Sequence, residues 1–257
     1  MVSEAREASC RVAREMAPPT DSRKLLVVSA HSADFVWRAA GAIATATANG
    51  GTATVVSLSY GERGESGELW KEEGQTVERV KAIRRQEAET AAGILGAEVV
   101  FLDRGDYPLE LDRAAIEELT DVMRDLAPDV VLGHARQDPF NPDHGVASEA
   151  TIRARQLASG AGVASGFRTI TPPALLLFEP HQPELCGFVP TTFLDITPVW
   201  EQKVAAMEAM GAQDYLRQYY AERAAHRANH ARRISARPEI RHAEAFQREI
   251  PQVVDAL

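Results

Sequence analysis

A histidine and an aspartate lie three residues apart where the sequence changes from an apolar run to a helical pattern. The stretch is SAHSADFVWRAAG, residues 29–41, and it contains His31 and Asp34. An imidazole and a carboxylate are a suitable ligand pair for zinc or another first-row divalent ion. A third ligand from a distant loop would complete such a site. His144, which follows a turn-forming Asn-Pro-Asp and precedes a glycine, is the best candidate.

Each of these residues also has an ordinary structural interpretation. An aspartate at the start of a helix is usually an N-cap, and Asp34 could be only that. A histidine directly after a strand is more often hydrogen-bonded than a metal ligand, and His134 could support another ligand or be purely structural. The argument for a site is therefore convergence on one edge of the fold, since no single residue establishes it.

The elements that must place these residues alternate between strand and helix. Strands are predicted for residues 25–30, 52–59, 99–102, 130–133 and 174–178, and helices for residues 36–49, 77–95, 113–126 and 145–157. The alternation predicts the α/β class with a doubly wound, mainly parallel sheet. A C-terminal helical segment is predicted from residue 197 to about 231, and a helix or turn at 243–246.

Acids, histidines and arginines follow all five predicted strands. In chain order the groups are His31 and Asp34; Glu62, Arg63 and Glu65; Asp106; His134, Asp138, Asn141, Asp143 and His144; and Glu179, His181 and Glu184. Ligands of open parallel sheets bind outside the carboxyl ends of the strands. The pattern therefore predicts one site at that edge. The other three histidines, His226, His230 and His242, are predicted to lie on the surface.

Composition limits the partners and the location. The chain has 257 residues and a formal net charge of -9, which argues against nucleic acid or an anionic membrane as the main partner. Two cysteines are too few for a disulfide framework, and no apolar stretch approaches the roughly 20 residues of a membrane span. We expect a cytoplasmic protein. Residues 1–22 are predicted to be a leader and residues 23–257 a single catalytic domain.

The long C-terminal helical stretch leaves two interpretations open. It carries large apolar and aromatic side chains, namely Trp200, Met207, Met210, Tyr215 and Tyr219. This face could pack against a second copy and make a homo-oligomer, or it could complete the core.

Three motifs together resemble a known enzyme superfamily. They are VVSAHSADFVWRAAGAI, the R-x-x-E pattern of residues 84–87 and PDHG, and they are similar to the N-acetylglucosaminyl-phosphatidylinositol de-N-acetylase superfamily over about residues 24–250. The resemblance implies a Rossmann-like fold and a zinc ion held by His31, Asp34 and His144, although this ligand set also tolerates other divalent ions. The residue pair Arg84 and Arg85 could otherwise be only a solvent-facing part of its helix.

The chain departs from that superfamily at informative positions. The first family motif is Ala-His-Pro-Asp-Asp-Glu, and here Ser32 replaces the proline and Ala33 replaces the acid that serves as general base. A methyl group cannot accept a proton, so hydrolysis by the usual family route is not expected. Asn141 stands where the sugar deacetylases carry a further histidine.

Other motifs resemble a hydratase branch of the superfamily, namely LSYGERGES, DPFNPDH and FEPHQPE. This resemblance implies addition of water to the carbon–carbon double bond of 4-oxalomesaconate, a tricarboxylate from gallate and protocatechuate breakdown, to give 4-carboxy-4-hydroxy-2-oxoadipate. The alternatives are a zinc deacetylase that acts on an amino sugar or related amide, and a non-catalytic metal-binding protein.

Hydration of a conjugated double bond needs a base for the water and an acid for the enolate carbon. With Ala33 unable to serve, Glu65 and His181 are the candidates; Glu65 as base and His181 as acid is the preferred assignment, and the reverse stays open. Glu179 and Glu184 flank His181 and would raise its pKa if they lay close. Glu65 could otherwise be a solvated loop charge, and His181 could be structural.

A tricarboxylate requires a locally cationic pocket in this acidic protein. Arg38, one turn into the first helix, and Arg63, in GERGES, are placed for bidentate carboxylate contacts. Arg104 and Arg136 are further candidates. Arg38 could instead be an ordinary residue on the helix surface.

Overall fold

The structure is a computed structural model that describes residues 22–253. The predicted leader therefore lies outside the described residues apart from Ser22, and the division into leader and single domain stays a prediction. The strands are β1 (Lys24–Ser29), β2 (Thr52–Ser57), β3 (Glu98–Phe101), β4 (Val130–Gly133), β5 (Ala174–Phe178), β6 (Thr192–Asp195) and β7 (Ala243–Arg248). The helices are α1 (Asp34–Ala48), α2 (Val77–Leu95), α3 (Arg113–Leu126), α4 (Pro142–Ala158), α5 (Trp200–Glu208) and α6 (Arg217–Ser235).

Within residues 22–253 the strands form a seven-stranded sheet in the order β3-β2-β1-β4-β5-β7-β6. The first five are parallel, and β7 pairs antiparallel with both β5 and β6. The predicted α/β class with a mainly parallel sheet is confirmed. None of the helices in this part of the chain is long and apolar enough to cross a membrane.

Alternating side chains of each parallel strand supply two cores. Leu25 and Val27 of β1 face the core built with α1, α2, α5 and α6, whereas Leu26 and Val28 face the core built with α3 and α4. Successive side chains of a strand point to opposite faces of the sheet, so neighbouring residues of β1 face different cores. Both faces are covered, which explains why the strands are continuous apolar runs.

The prediction of a helix or turn at 243–246 is wrong, because these residues begin β7. The preceding strand β6 was not predicted at all. The charged residue Glu244 interrupts the apolar pattern by which β7 could have been recognised. Its carboxylate is nevertheless buried. It accepts hydrogen bonds from Lys203 Nζ at 2.6 Å and from the backbone N–H groups of Gly41 and Ala42 at 2.8 Å. A buried ion pair formed by distant residues is not visible in a local sequence pattern.

The C-terminal helical stretch is also interrupted. A 3-10 segment, Gly211–Leu216, separates α5 from α6, and Gln213 within it has the non-helical angles φ -129° and ψ 29°. Met207 and Met210 belong to the core, whereas Tyr215 is 66% exposed. Most of this face therefore completes the core.

The candidate site lies where the strand order reverses, between β1 and β4. From β1 the chain continues to β2 on one side, and from β4 it continues to β5 on the other, so the loops after β1 and β4 separate and leave a crevice. His31 and His134 lie in these two loops. Helix α4 begins at Pro142, three residues before the predicted start, because proline is favoured in the first helical position. His144 consequently lies in the first turn of α4.

Candidate active site

Three potential ligand atoms meet at the crevice. A ring nitrogen of His31, a ring nitrogen of His144 and a carboxylate oxygen of Asp34 all lie within 4.8 Å of one another. His31 Nδ1 is 3.4 Å from Asp34 Oδ2, and His144 Nε2 is 3.5 Å from Asp34 Oδ1. The three residues are buried. Among residues 22–253, neither His31 Nδ1 nor His144 Nε2 has a hydrogen-bond partner.

The opposite ring nitrogens are held by carboxylates. His31 Nε2 lies 3.2 Å from Asp143 Oδ2, and His144 Nδ1 lies 2.8 Å from Asp138 Oδ2. An ionised carboxylate only accepts, so each of these nitrogens carries a hydrogen. In the neutral imidazole, the form that binds a metal, the lone pair is then on the other nitrogen. Histidine ligands of metals show this arrangement. The two unpartnered nitrogens and Asp34 therefore fit a divalent ion with room for a further ligand.

The charges of the cluster also favour a cation. Burial disfavours a charged imidazole, yet the carboxylates of Asp143, Asp34 and Glu65 raise the pKa of His31 to about 10. Burial would raise the pKa of Asp34, but neighbouring positive charge, including the Arg38 guanidinium, holds it well below its usual range. The carboxylates thus stabilise positive charge at this position, which is a proton on His31 in the absence of a metal and would be the metal ion once that proton is displaced.

His134 supports the cluster without joining it. Its Nε2 accepts a hydrogen bond from the backbone N–H of Ala30 at 3.0 Å, and its ring stacks on His144 with centroids 4.2 Å apart. Burial and the neighbouring His144 lower the pKa of His134 to about 3, so the His134 ring is neutral. Of the two interpretations that the sequence left open for His134, this geometry favours a supporting role.

Glu65 lies beside the ligand cluster on the loop after β2. Its Oε1 is 4.0 Å from His31 Nδ1, and its side chain is 22% exposed. Gly61 allows this approach, because it has φ +68° and a Cβ there would lie 2.9 Å from the Cβ of Glu65 and 3.1 Å from that of His31. The carboxylate is therefore close to the cluster and still partly open to solvent.

His181 lies on the loop after β5 and is held mainly by aromatic contacts. Its ring stacks on Tyr219 at 4.1 Å between centroids, and its backbone carbonyl accepts hydrogen bonds from Arg223 Nη2 at 2.9 Å and from the Tyr219 hydroxyl. Burial and the charges of Arg38 and Arg223 lower its pKa below the usual histidine value. Asp138 and Glu65 act in the opposite direction, which places His181 within electrostatic reach of both.

The expectation that Glu179 and Glu184 raise the pKa of His181 is wrong. The carboxylate of Glu179 is buried and is neutralised by Arg227 Nε at 2.9 Å and by Arg223. Glu184 is exposed. Burial and the charges of Arg38 and Arg223 dominate instead, and they lower the pKa of His181.

The two candidate arginines occupy different surroundings. Arg38 is buried, and its Nη1 contacts Asp34 Oδ1. Burial would lower its pKa, but Tyr220, Asp34 and Glu65 raise it, so the guanidinium stays charged inside the protein. Arg63 has a side chain 52% exposed, and its Nη1 donates to the backbone carbonyl of Asp106 at 3.2 Å.

Arg104 and Arg136 are engaged away from the ligand cluster. Arg104 pairs with Glu118, and Arg136 pairs with Glu249 at 2.7 Å through Nε.

Sequence reasoning did not assign roles to Asp138 and Asp143. The general rule that a ligand histidine needs a partner on its second nitrogen could have singled them out as candidates, since both precede His144 closely. The rule could not have paired them correctly, because Asp143 contacts His31 although it is adjacent to His144. Gln213, which contacts Glu65 at 2.7 Å, gave no signal in the sequence.

Fold and site together define an α/β protein with a buried His–Asp–His cluster that could hold a metal ion. Residues 26–155 match the profile of PIG-L, the GlcNAc-PI de-N-acetylase family. The chain belongs to this family, which confirms the family predicted from the motifs.

The relatives include hydratases and a deacetylase. The 4-oxalmesaconate hydratase of Pseudomonas putida KT2440 is 46% identical over 251 residues, which cover 96% of both chains. The crystal structure of GalB, the 4-carboxy-2-hydroxymuconate hydratase from Pseudomonas putida KT2440, superposes with a TM-score of 0.89 at 46% identity and covers 91% of this chain and 99% of that one. The N,N'-diacetylchitobiose deacetylase of Pyrococcus horikoshii, at 22% identity, 96% and 92% coverage and a TM-score of 0.71, shares the fold.

Proposed function

We propose that this protein is a metal-dependent hydratase that adds water to the carbon–carbon double bond of 4-oxalomesaconate and forms 4-carboxy-4-hydroxy-2-oxoadipate. The hydratase names of the curated match and of the crystal structure, both from Pseudomonas putida KT2440 and both at 46% identity, support this substrate, since 4-oxalomesaconate and 4-carboxy-2-hydroxymuconate are keto and enol forms of one compound. The observation that carries the proposal is an intact ligand cluster beside Glu65, with the buried, proton-inert Ala33 where a deacetylase keeps its base.

His31, Asp34 and His144 are the residues that would hold the metal, which we propose to be zinc. Their donor set of two imidazoles and one carboxylate suits zinc, and the two unpartnered ring nitrogens are directed to the same carboxylate. When bound, the ion supplies Lewis acidity that polarises keto and carboxylate oxygens of the substrate. Asp138 and Asp143 keep the imidazoles in the tautomers that bind it.

Glu65 is the proposed general base, and His181 the proposed general acid. Glu65 lies next to the ligand cluster and is reached by solvent, as a group that takes a proton from water must be. His181 projects from another strand loop, within electrostatic reach of Glu65. The free protein favours neutral His181; the carboxylates of a bound substrate would raise its pKa and supply the proton that the enolate carbon needs.

Arg38 and Arg63 are the proposed carboxylate-binding residues. Arg38 presents a buried positive charge beside Asp34, and among the described residues its Nε has no hydrogen-bond partner. Arg63 is on the same loop as Glu65 and is accessible at the surface. We further propose that the protein acts in the cytoplasm on this small molecule, alone or as a homo-oligomer.

The first experiment is spectrophotometric. Zinc-loaded protein is added to 4-oxalomesaconate, and the loss of the conjugated absorbance is followed with and without a chelator. Rapid loss that the chelator abolishes is the expected result. If metal is bound and the absorbance does not change, the substrate assignment is wrong, and hydrolysis of acetylated amines is tested next.

The Ala33→Asp variant separates hydration from deacetylation. It restores the acid that the family motif carries at this position, next to a ligand cluster that is otherwise unchanged. Deacetylase activity in Ala33→Asp and none in the unmodified protein would show that the missing base alone prevents amide hydrolysis.

A further inference from the structure

We propose that Gln213 is a positioning residue for Glu65 and that, together with Asn141, it forms an amide clamp that fixes both carboxylate oxygens of this side chain. The inference rests on the proposed function, because it gives Glu65 the role of base. It adds a residue from the C-terminal part of the chain to a site otherwise built from loops and helix starts that follow the parallel strands.

Each oxygen of Glu65 receives its own amide donor. Asn141 Nδ2 donates to Oε1 at 2.7 Å, and Gln213 Nε2 donates to Oε2 at 2.7 Å. Asn141 and Gln213 are buried. A carboxylate that accepts at both oxygens is fixed in its rotation as well as in its position.

The orientation of the Gln213 amide follows from its other contacts. Its Oε1 accepts hydrogen bonds from Trp37 Nε1 at 3.2 Å and from Arg84 Nη2 at 3.0 Å. Indole and guanidinium nitrogens are donors only, so the carbonyl oxygen of the amide must face them. The NH₂ group is thereby directed to Glu65, and no choice of amide orientation is left open.

The backbone around Gln213 is anchored to α2. Arg84 is completely buried, which corrects the interpretation that it faces solvent, and its Nη1 pairs with Glu87 Oε2 at 2.7 Å. The second oxygen of Glu87 accepts from the backbone N–H of Ala212 at 2.7 Å. A buried arginine is costly unless its hydrogen bonds are well placed. Here they fix both the side chain of Gln213 and the non-helical turn that carries it.

Such a clamp has a chemical purpose because Glu65 lies on a glycine-rich loop. A partly exposed glutamate on its own would sample several rotamers, and only some of them point at the reacting water. Misplacing a reacting group by about 1 Å can cost about 10²-fold in rate. The clamp removes this freedom without blocking the access of solvent to the carboxylate.

The decisive variant is Gln213→Glu. It keeps the shape of the side chain and the acceptors that face Trp37 and Arg84, but it replaces the donor on Glu65 by a second carboxylate oxygen. We expect kcat for hydration to fall about 10–100-fold with KM changed by less than about threefold, in line with misplacement of one reacting group. Metal content should not change. Gln86→Glu, which adds the same charge at an exposed position of α2, is the matched control and should keep the activity of the parent.

Two further measurements distinguish positioning from general stability. In the Glu65→Gln background, Gln213→Glu should lower kcat no further, because the clamp acts only through Glu65. A crystal structure of Gln213→Glu should show the Glu65 carboxylate displaced and the ligand cluster in place.

The outcomes separate the clamp from the proposed function. An active parent with an unchanged kcat in Gln213→Glu overturns the clamp, and so does a further loss in the double variant. An inactive parent overturns the proposed function. In that case the crystal structure still decides the clamp, since an undisplaced Glu65 in Gln213→Glu would contradict it.

Discussion

The two halves of the candidate site are built in different ways. His31, Asp34 and His144 are between 1% and 4% exposed, and two further carboxylates fix the imidazoles. Glu65 and His181 lie on longer loops and are only partly buried; amides hold the first, and stacking on Tyr219 holds the second. The ligand half depends on short connections at the crevice, whereas the acid–base half also depends on Gln213 and Tyr219 from the C-terminal third of the chain.

This difference suggests how one fold can support different reactions. The ligand half consists of two imidazoles and one carboxylate, which is an ordinary donor set for a metal ion. Its geometry does not by itself select hydration or hydrolysis. In the proposed mechanism, the proton-transfer groups around this cluster select the reaction. Here Ala33 supplies none, and Glu65 and His181 approach from other loops. Variants in the two halves should therefore fail in different ways.

The largest effect is expected from His144→Ala, which breaks the ligand half. Hydratase activity should fall by about 10³-fold or more, because the Lewis-acid contribution of a metal amounts to several kcal/mol. Metal content after dialysis and kcat/KM are the measurements. His226→Ala, at an exposed position of α6, is the control. Undiminished activity in metal-free His144→Ala would contradict the proposed role of the cluster.

The ligand half was predictable because its signals are local. His31 and Asp34 are three residues apart, and His144 sits in a turn-like segment, so spacing and residue type were sufficient to suggest them. The parallel strands were predictable for a similar reason, since both faces are buried and the runs are continuously apolar. The antiparallel strand β7 was not, because the buried charge of Glu244 is compensated by Lys203 of another element.

The residues that support the two halves were not predictable from one sequence. Gln213 is 148 residues from Glu65, and Asp143 is 112 residues from His31. Glutamine and aspartate are ordinary surface residues, and only the folded chain shows that these two are buried and aimed at particular atoms. The pKa of His181 could not be inferred from its sequence neighbours either, because burial and the distant residues Arg38 and Arg223 dominate it.

A smaller but still large effect is expected from His181→Asn in the acid–base half. Loss of a general acid lowers kcat by about 10²–10³-fold, while metal content should stay the same. In the proposed mechanism the active form of the parent has protonated His181, and the pKa of this residue in the free protein is lowered. The value of kcat/KM should therefore decline as pH rises through a point below about 6.5, the ordinary histidine pKa.

The pH profile of kcat sharpens this prediction. Bound carboxylates raise the pKa of His181, so the decline of kcat should occur at higher pH than the decline of kcat/KM. Both declines should disappear in His181→Asn, and His226→Asn should retain them. If the parent and His181→Asn had the same profiles, His181 would not be the acid.

A moderate effect is expected from Asp138→Asn, which weakens the ligand half without removing a ligand. Asp138 fixes the tautomer of His144, and loss of such a partner typically costs about 10–100-fold in metal affinity. Competition with a chelating dye measures this loss. Asp125→Asn on the exposed side of α3 is the matched control. Excess zinc should restore most of the activity of Asp138→Asn, and a failure to do so would mean that Asp138 acts on more than metal binding.

The smallest effect is expected from Arg63→Ala. Arg63 is half exposed and already donates to a backbone carbonyl, so its attraction for a substrate carboxylate is screened by water. A surface charge contact is worth about 1 kcal/mol or less, which corresponds to at most about a fivefold rise in KM with little change in kcat. Arg63→Lys should recover part of this rise, and added salt should reduce the difference between parent and variant. A large fall in kcat would instead place Arg63 with the groups that act in the transition state, and the acid–base half would then extend further along the loop after β2 than its contacts indicate.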